Sequence, residues 1–346
     1  MVQPLSLCIT GFGGASQAFC RLLMQQRHAL LNHHNTDIRI TGIAGRSKGS
    51  LHNPAGINLV RALEEITSLG AFSRDNPEYT TKNTLQIIES AQADVLLELT
   101  TLSIHDGQPA IRHIETALTQ GMHVITANKG PIAWDYQRLK ELAQAQDRLL
   151  LHETVVMDGA PVFNLSRETL PGCQVLSFKG ILNSTTNFIL EEMESGSSFD
   201  ETIKEAQRRG FAEADPSLDV DGWDAAAKTS ALLNALMNAQ VTPLDIQRTG
   251  IAHITPEEIK KARDQGFKIK LLCEGWFDSG NAVGRVHPVW IRNNDLFSTI
   301  DATTSILCLQ TDLMGEICVV ERHPEIEQTA YGIFSDLLTL LQKKYP

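Results

Sequence analysis

Between Leu5 and Gln26 the chain sets an apolar run, a glycine cluster and a helical stripe end to end, and few folds accept that order. Leu5 to Thr10 reads as a buried strand, and Gly11-Phe12-Gly13-Gly14-Ala15-Ser16 follows without a linker. A helix is then expected from Ser16 to Gln26, with Ala18, Phe19, Leu22 and Leu23 as its apolar stripe. Strand, glycine turn and helix in this sequence form the start of a parallel sheet whose first turn receives a dinucleotide pyrophosphate. Gly11 permits the tight turn, and Gly13 lets a phosphate approach the main chain at the helix N-terminus. Phe12, Gly14 and Ala15 complete the expected cofactor-binding turn, and Ser16 is small enough to stand for the third fingerprint glycine. The same spacing also occurs in plain tight turns; its place at the first strand favours the cofactor.

The next strands fit that frame. Ile38 to Ala44 reads as a strand ending in Gly45-Arg46-Ser47-Lys48. An acid at this place binds ribose hydroxyls, whereas Arg46, Ser47 and Lys48 suit a 2′-phosphate, so NADP is expected, with NAD as the alternative. Residues 49–83 are polar, with one short helix over Leu59 to Glu65. Asp94 to Thr101 is a further parallel strand, whose last residues Thr100 and Thr101 are expected at the cofactor. A helix over Gly107 to Thr119 ends at Gly121, and His123 to Ala127 is a strand opening into Asn128-Lys129-Gly130-Pro131. Strand C-termini in open α/β sheets face the ligand crevice, which assigns Lys129 a functional place. A helix over Asp135 to Ala145 and a strand at Leu149 to Leu151 close a dinucleotide-binding domain of Rossmann type over 1–150.

A second α+β domain is expected over 151–320. Pro161 to Leu170 reads as a connecting helix and Val175 to Ile181 as the first strand of a second sheet. Ser198-Phe199-Asp200-Glu201 is a capping box, opening a helix that ends at Arg208-Arg209-Gly210. Gly210 to Lys228 then carries Glu213, Asp215, Asp219, Asp221 and Asp224 before its closing lysine. Asp215-Pro216 breaks any helix, so Glu213 sits on a loop. Ala225, Ala226, Ala227 and Ala231 favour a helix from Trp223, capped by Asp219 or Asp221, with Asp224 and Lys228 one turn apart on one face. Such a run by itself reads as a solvated acidic loop with a surface ion pair. The short side chains around it instead place Lys228 in a confined space, where a loop carboxylate and an acid-held lysine suit a substrate that carries an ammonium and needs a proton. Strands at Lys268 to Glu274, Ala282 to Ile291, Thr303 to Leu309 and Gly315 to Val320 complete the sheet. Its open face or edge is expected to pair two subunits into a homodimer. Residues 321–346 form a C-terminal segment whose helix, Thr329 to Leu341, returns to the first domain.

The formal net charge of −11 without a basic block argues against nucleic acid or an anionic membrane as partner. The six cysteines lack a CxxC pair and read as buried free thiols of a cytoplasmic protein.

The stretch G-F-A-E-A-D-P-S-L-D-V-D-G-W-D-A-A-A-K resembles the substrate-binding signature of homoserine dehydrogenases. V-I-T-A-N-K-G-P at 124–131 and G-I-L-N-S-T-T-N-F-I-L at 180–190 are similar to two further motifs of that family. The resemblance implies reversible reduction of L-aspartate 4-semialdehyde to L-homoserine with a nicotinamide dinucleotide. It nominates Lys228 as proton donor, with Lys129 polarising the substrate or also donating. Glu213, Asp219 and Asp224 would meet the substrate ammonium or hydroxyl, and the Thr185 and Thr186 hydroxyls its carboxylate; a hydroxyl-capped helix start at Asn187 is the alternative. It implies a monovalent cation held by Glu153 and the loop carbonyls of Val156 and Asp158, although Asp158 replaces a usual small residue. No appended regulatory domain is expected after the last helix. One departure stands out: Glu321-Arg322-His323-Pro324-Glu325-Ile326-Glu327 replaces a glycine-rich loop that lies against the cofactor in relatives. That keeps open a non-catalytic or altered-specificity paralogue that binds a nucleotide or metabolite.

Overall fold

The computed structural model describes residues 2–344. The chain folds into two compact units. The first takes the chain up to Pro131, Gln137–Gly159, and everything from Glu325; the second takes Ile132–Tyr136 and Ala160–Pro324.

The first unit begins with β1 (Gln3–Thr10), α1 (Gly14–His34), β2 (Thr36–Gly45), β3 (Gly49–His52), α2 (Leu59–Leu69), β4 (Tyr79–Thr80) and α3 (Thr84–Ser90). It continues with β5 (Val95–Glu98), α4 (Ala110–Thr119), β6 (His123–Thr126), α5 (Lys129–Ala145) and β7 (Leu150–Leu151). The sheet order is β4-β3-β2-β1-β5-β6-β7, parallel throughout the β2-to-β7 part. The order reverses between β1 and β5, so their C-terminal ends frame the crevice where such sheets take ligands. Leu5, Leu7 and Ile9 face one layer with Phe19 and Leu23, while Gly42 lets Ile87 of α3 and its C-cap Ala91 approach the other face.

The second unit adds β8 (Val175–Ile181), α6 (Ser184–Glu194), α7 (Phe199–Arg208), α8 (Ser217–Val220), α9 (Trp223–Met237), β9 (Gln247–Arg248) and α10 (Pro256–Asp264). Then follow β10 (Phe267–Asp278), β11 (Asn281–Arg292), β12 (Ser305–Thr311) and β13 (Glu316–Glu321). Its sheet runs β13-β12-β8-β10-β11-β9, with β8 antiparallel to both neighbours. α9 lies against this sheet because Gly275 and Gly284 leave room for Leu233; a Cβ there would come within 2.9 and 3.0 Å of its methyls. Ala225, Ala226, Ala227 and Ala231 are all buried, as a helix that sinks this far requires.

α11 (Ile326–Lys344) belongs to the first unit and lays Ile333, Leu337, Leu340 and Leu341 into the core shared with α1.

Several expectations are corrected. The 49–83 region holds β3 and β4, paired antiparallel with a longer α2 between them, in addition to loop. The connecting helix is a short π-helical stretch, Leu165–Thr169. α5 begins at Lys129, capped by Asn128 and kinked at Asp135. α11 begins at Ile326, three residues before the expected Thr329. Cys308 and Cys318 form a disulfide, leaving Cys8, Cys20, Cys173 and Cys273 as free thiols. The β12–β13 hairpin sets these two residues directly opposite each other, a pairing no CxxC spacing signals.

Candidate active site

In the second unit a polar cluster grows from the junction of β8, α6 and α9. Asn183 caps α6, its Oδ1 accepting the Thr186 N–H at 2.8 Å. Its Nδ2 is thereby aimed outward and donates to Asp219 Oδ1 at 2.7 Å and to Asp224 Oδ2 at 3.1 Å. α8 supplies Asp219, and Gly222 in the left-handed region (φ 79°) turns the chain into α9. Asp224 and Lys228 are one helical turn apart, with Nζ 3.4 Å from Oδ2. Lys228 also donates to the Leu182 carbonyl at 2.6 Å. Burial, then the neighbouring Asp224 charge, pushes the Asp219 carboxyl above the usual carboxylate range.

Expectation and geometry differ around this cluster. Neither Asp219 nor Asp221 caps α9; Gly222 stands at that position without a side-chain bond. α6 starts at Ser184, not Asn187, and its cap is an amide rather than a hydroxyl. The Thr185 hydroxyl donates to the Phe211 carbonyl at 2.8 Å and that of Thr186 to the Asn183 carbonyl at 3.1 Å. Glu213 is exposed on its loop, whose carbonyl accepts from Gln207 at 3.0 Å. The sequence reading missed Asn183 as a functional residue, although it stands in the 180–190 motif with an acid cluster downstream.

In the first unit the glycine turn has the shape a pyrophosphate needs. Gly11 adopts φ 83°, and a Cβ there would meet the Leu99 carbonyl oxygen at 2.4 Å, so no side chain is tolerated. Gly13 has open space on its side-chain face, and the first turn of α1 carries no acid. Ser16, buried, donates its hydroxyl to the Gly11 carbonyl at 2.6 Å, filling the third-glycine position with a bond. Phe12 turns its ring inward against Phe72 at 5.3 Å, so it reaches the turn only through its main chain. Ala15 packs partly into the core. Ile326 of α11 lies over Gly14, where a Cβ would be 3.6 Å from its side chain.

Thr100 is half-buried and Thr101 exposed beyond β5, and Lys129 is half-buried in the first turn of α5. Arg46 and Ser47 are exposed at the tip of the β2–β3 hairpin. Lys48 instead donates its ammonium to the Gly70 carbonyl at 2.9 Å, closing the C-terminus of α2. Glu153 and Val156 are buried, and the Glu153 amide donates to Asp336 of α11 at 2.8 Å. Asp158 accepts from the Thr329 hydroxyl at 2.9 Å, which commits its carboxylate to α11. Among the described residues no trio of His, Cys, Asp or Glu is gathered for a metal.

The comparisons meet this geometry in both units. A family model described as homoserine dehydrogenase matches residues 161–338, and one described as its NAD binding domain matches residues 11–153. The chain belongs to the homoserine dehydrogenase family. A homoserine dehydrogenase of Methanocaldococcus jannaschii is 33% identical over 335 residues, covering 96% of this chain and 98% of its own. An NAD(+)-dependent homoserine dehydrogenase of Pseudomonas canavaninivorans is 31% identical over 97% of this chain and 96% of its own. The crystal structure of a homoserine dehydrogenase from Thiobacillus denitrificans superposes with a TM-score of 0.83 at 27% identity, covering 98% of this chain and 74% of that one. The chain is thus an α/β oxidoreductase of this family with a Rossmann-type, pyridine-nucleotide-binding unit and a second sheet unit. Among the described residues no helix is long and apolar enough to cross a membrane.

Proposed function

We propose that this homoserine dehydrogenase family member interconverts L-homoserine and L-aspartate 4-semialdehyde, with Lys228 as the group that holds and moves the proton. The observation that carries the reading is Lys228 fixed between the Leu182 carbonyl and Asp224, beside an Asp219 that Asn183 ties to the same acid. The Gly11–Ala15 turn and the N-terminus of α1 would hold the dinucleotide, whose nicotinamide would supply or take up the hydride when bound. Lys228 Nζ gives a proton to the substrate oxygen on reduction and takes one on oxidation. Asp224 keeps the ammonium in one rotamer and Asp219 faces the substrate hydroxyl or ammonium. Glu213 offers a second carboxylate from its loop, and the α6 N-terminus with Thr185 and Thr186 favours a carboxylate. Lys129 supplies a second cation to polarise the substrate oxygen.

The finer points belong to the same proposal. Arg46, with Ser47, supports NADP over NAD, while Lys48 contributes its charge from the β2–β3 turn, where it is tied to the Gly70 carbonyl. Thr100 and Thr101 line the dinucleotide. A monovalent cation at Glu153 and the carbonyls of Val156 and Asp158 is carried over from the family resemblance, Glu153 being the residue that matches it. The sheet face opposite α9 carries Trp276, Arg285, His287 and Val320, all with surface open to solvent, which supports a homodimer built across it. A cytoplasmic location completes the reading.

Steady-state assays with homoserine and each dinucleotide test it. Turnover with homoserine supports the reading; binding of dinucleotide without turnover on homoserine would overturn it.

A further inference from the structure

A carboxylate that none of the preceding roles uses lies at the switch point of the first unit. Glu98 ends β5 and is fully buried, 0% exposed. A charge or acid in that position must be saturated by donors. Its Oε1 accepts the Thr100 N–H at 3.1 Å and the Thr100 hydroxyl. Its Oε2 accepts the Thr10 hydroxyl, and His113 Nδ1 of α4 stands 3.1 Å from the same oxygen.

These partners belong to the two loops between which the strand order reverses. Thr10 is the last residue before the glycine turn, and Thr100 opens the loop after β5. The two loops also touch directly, since the Gly11 Cα faces the Leu99–Thr100 main chain so closely that a Cβ would lie 2.8 Å from the Thr100 nitrogen. The third crevice loop joins through Asn128, whose Nδ2 donates to the Thr100 hydroxyl oxygen at 3.2 Å and to the Thr101 carbonyl at 3.4 Å. Thr126 donates to the Glu98 carbonyl at 3.0 Å, binding the base of that loop to the same residue. One side chain therefore sets the spacing of the glycine turn and the Thr100–Thr101 loop, and its neighbour carries the setting to the start of α5.

We propose that Glu98 is a positioning residue for the dinucleotide, holding the glycine turn and the Thr100–Thr101 loop at the separation the cofactor requires, with His113 fixing the carboxylate. The inference rests on the dinucleotide reading of the Gly11–Ala15 turn. Glu98 itself, buried beneath the loops, acts through Thr10 and Thr100.

The test compares wild type, Glu98→Gln and Thr10→Val. Each is titrated with NADH and NADPH by nicotinamide fluorescence, and kcat and KM are measured with homoserine. Both variants are expected to raise the dinucleotide Kd and KM about tenfold, the size of losing one charge-assisted hydrogen bond. Their kcat at saturating dinucleotide stays within about twofold, because Asp219, Asp224 and Lys228 are built in the other unit. Thr10→Val keeps the shape of the residue and serves if Glu98→Gln does not fold. Unchanged dinucleotide affinity in folded variants overturns the inference while leaving the functional reading intact. A wild-type protein that binds neither dinucleotide overturns both.

Discussion

In the first unit the groups offered to a ligand are main-chain amides laid bare by glycine at Gly11 to Gly14, whereas in the second they are side chains. Asp219, Asp224 and Lys228 are each held by a neighbour at 2.6 to 3.4 Å before any ligand arrives. A main-chain site is defined by what is absent: a Cβ at Gly11 has no space. A side-chain site is defined by what surrounds it: the buried alanines of α9 and the Asn183 amide leave the lysine one place to stand. The two sites should accordingly fail in different ways when altered.

The largest expected effect separates chemistry from binding. Lys228→Ala should lower kcat about a thousandfold with a far smaller change in homoserine KM, because the proton moves only in the transition state. Equal losses in kcat and affinity would mean that Lys228 only binds. Gly11→Ala should do the reverse, raising dinucleotide Kd and destabilising the first unit by about 2 kcal/mol or more, since the new methyl meets the Leu99 carbonyl at a positive φ. Normal dinucleotide binding by a stable Gly11→Ala protein would break the main-chain half of the comparison. Arg46→Ala should reduce the NADP-to-NAD efficiency ratio about tenfold. An unchanged ratio would assign dinucleotide choice to another part of the turn.

The smallest effect concerns a buried lysine that takes no part in the cluster. Lys270 donates to Asn187 Oδ1 at 2.8 Å and the Ile300 carbonyl at 2.6 Å, and burial pushes its ammonium down to about 8. The unfolded chain then binds more protons than the folded one between about pH 8 and the ordinary value of 10.5. This group's contribution to stability should therefore rise with pH across that window and level off at its least favourable below about pH 8. Denaturant midpoints of wild type and Lys270→Met measured at pH 7.5, 9 and 10 isolate it. Parallel curves would show that the lysine has no such shift.

The sequence made the second site unusually legible because its chemistry is spelled in side chains at fixed spacing. The i,i+4 pair of Asp224 and Lys228 and the alanines beneath it need only helix geometry to interpret. What it did not show are bonds made across the chain. Asn183 meets acids 36 and 41 positions away, and nothing local marks an asparagine for that task. Glu98 looked like one more residue of a strand until the topology placed Thr10 and His113 around it. The strands of the parallel sheet were readable from their apolar runs. The β3–β4 pair was not, because its segments are only four and two residues long and α2 lies between them. Lys48 read as a phosphate ligand because its link to Gly70 depends on where α2 ends.

The segment at 321–327 sharpens the contrast further. β13 runs through Glu321, and α11 already begins at Ile326, whose side chain rests over Gly14. Here the chain sets an apolar side chain beside a main-chain site. Replacing residues 322–326 with a glycine-rich loop should tighten dinucleotide binding if Ile326 crowds the turn.

The placement of α11 has a consequence for the order in which the protein is made. The core beneath α1 is finished by Ile333, Leu337, Leu340 and Leu341, residues translated some 300 positions after Phe19 and Leu23. While the chain is still on the ribosome, the first unit carries an uncovered apolar flank through the entire synthesis of the second. The second unit has all its residues before α11 and can condense first. A nascent chain stopped short of Ile326 should thus expose that flank to chaperones and proteases, and a nonsense mutation near the C-terminus should damage the N-terminal unit rather than the one it truncates.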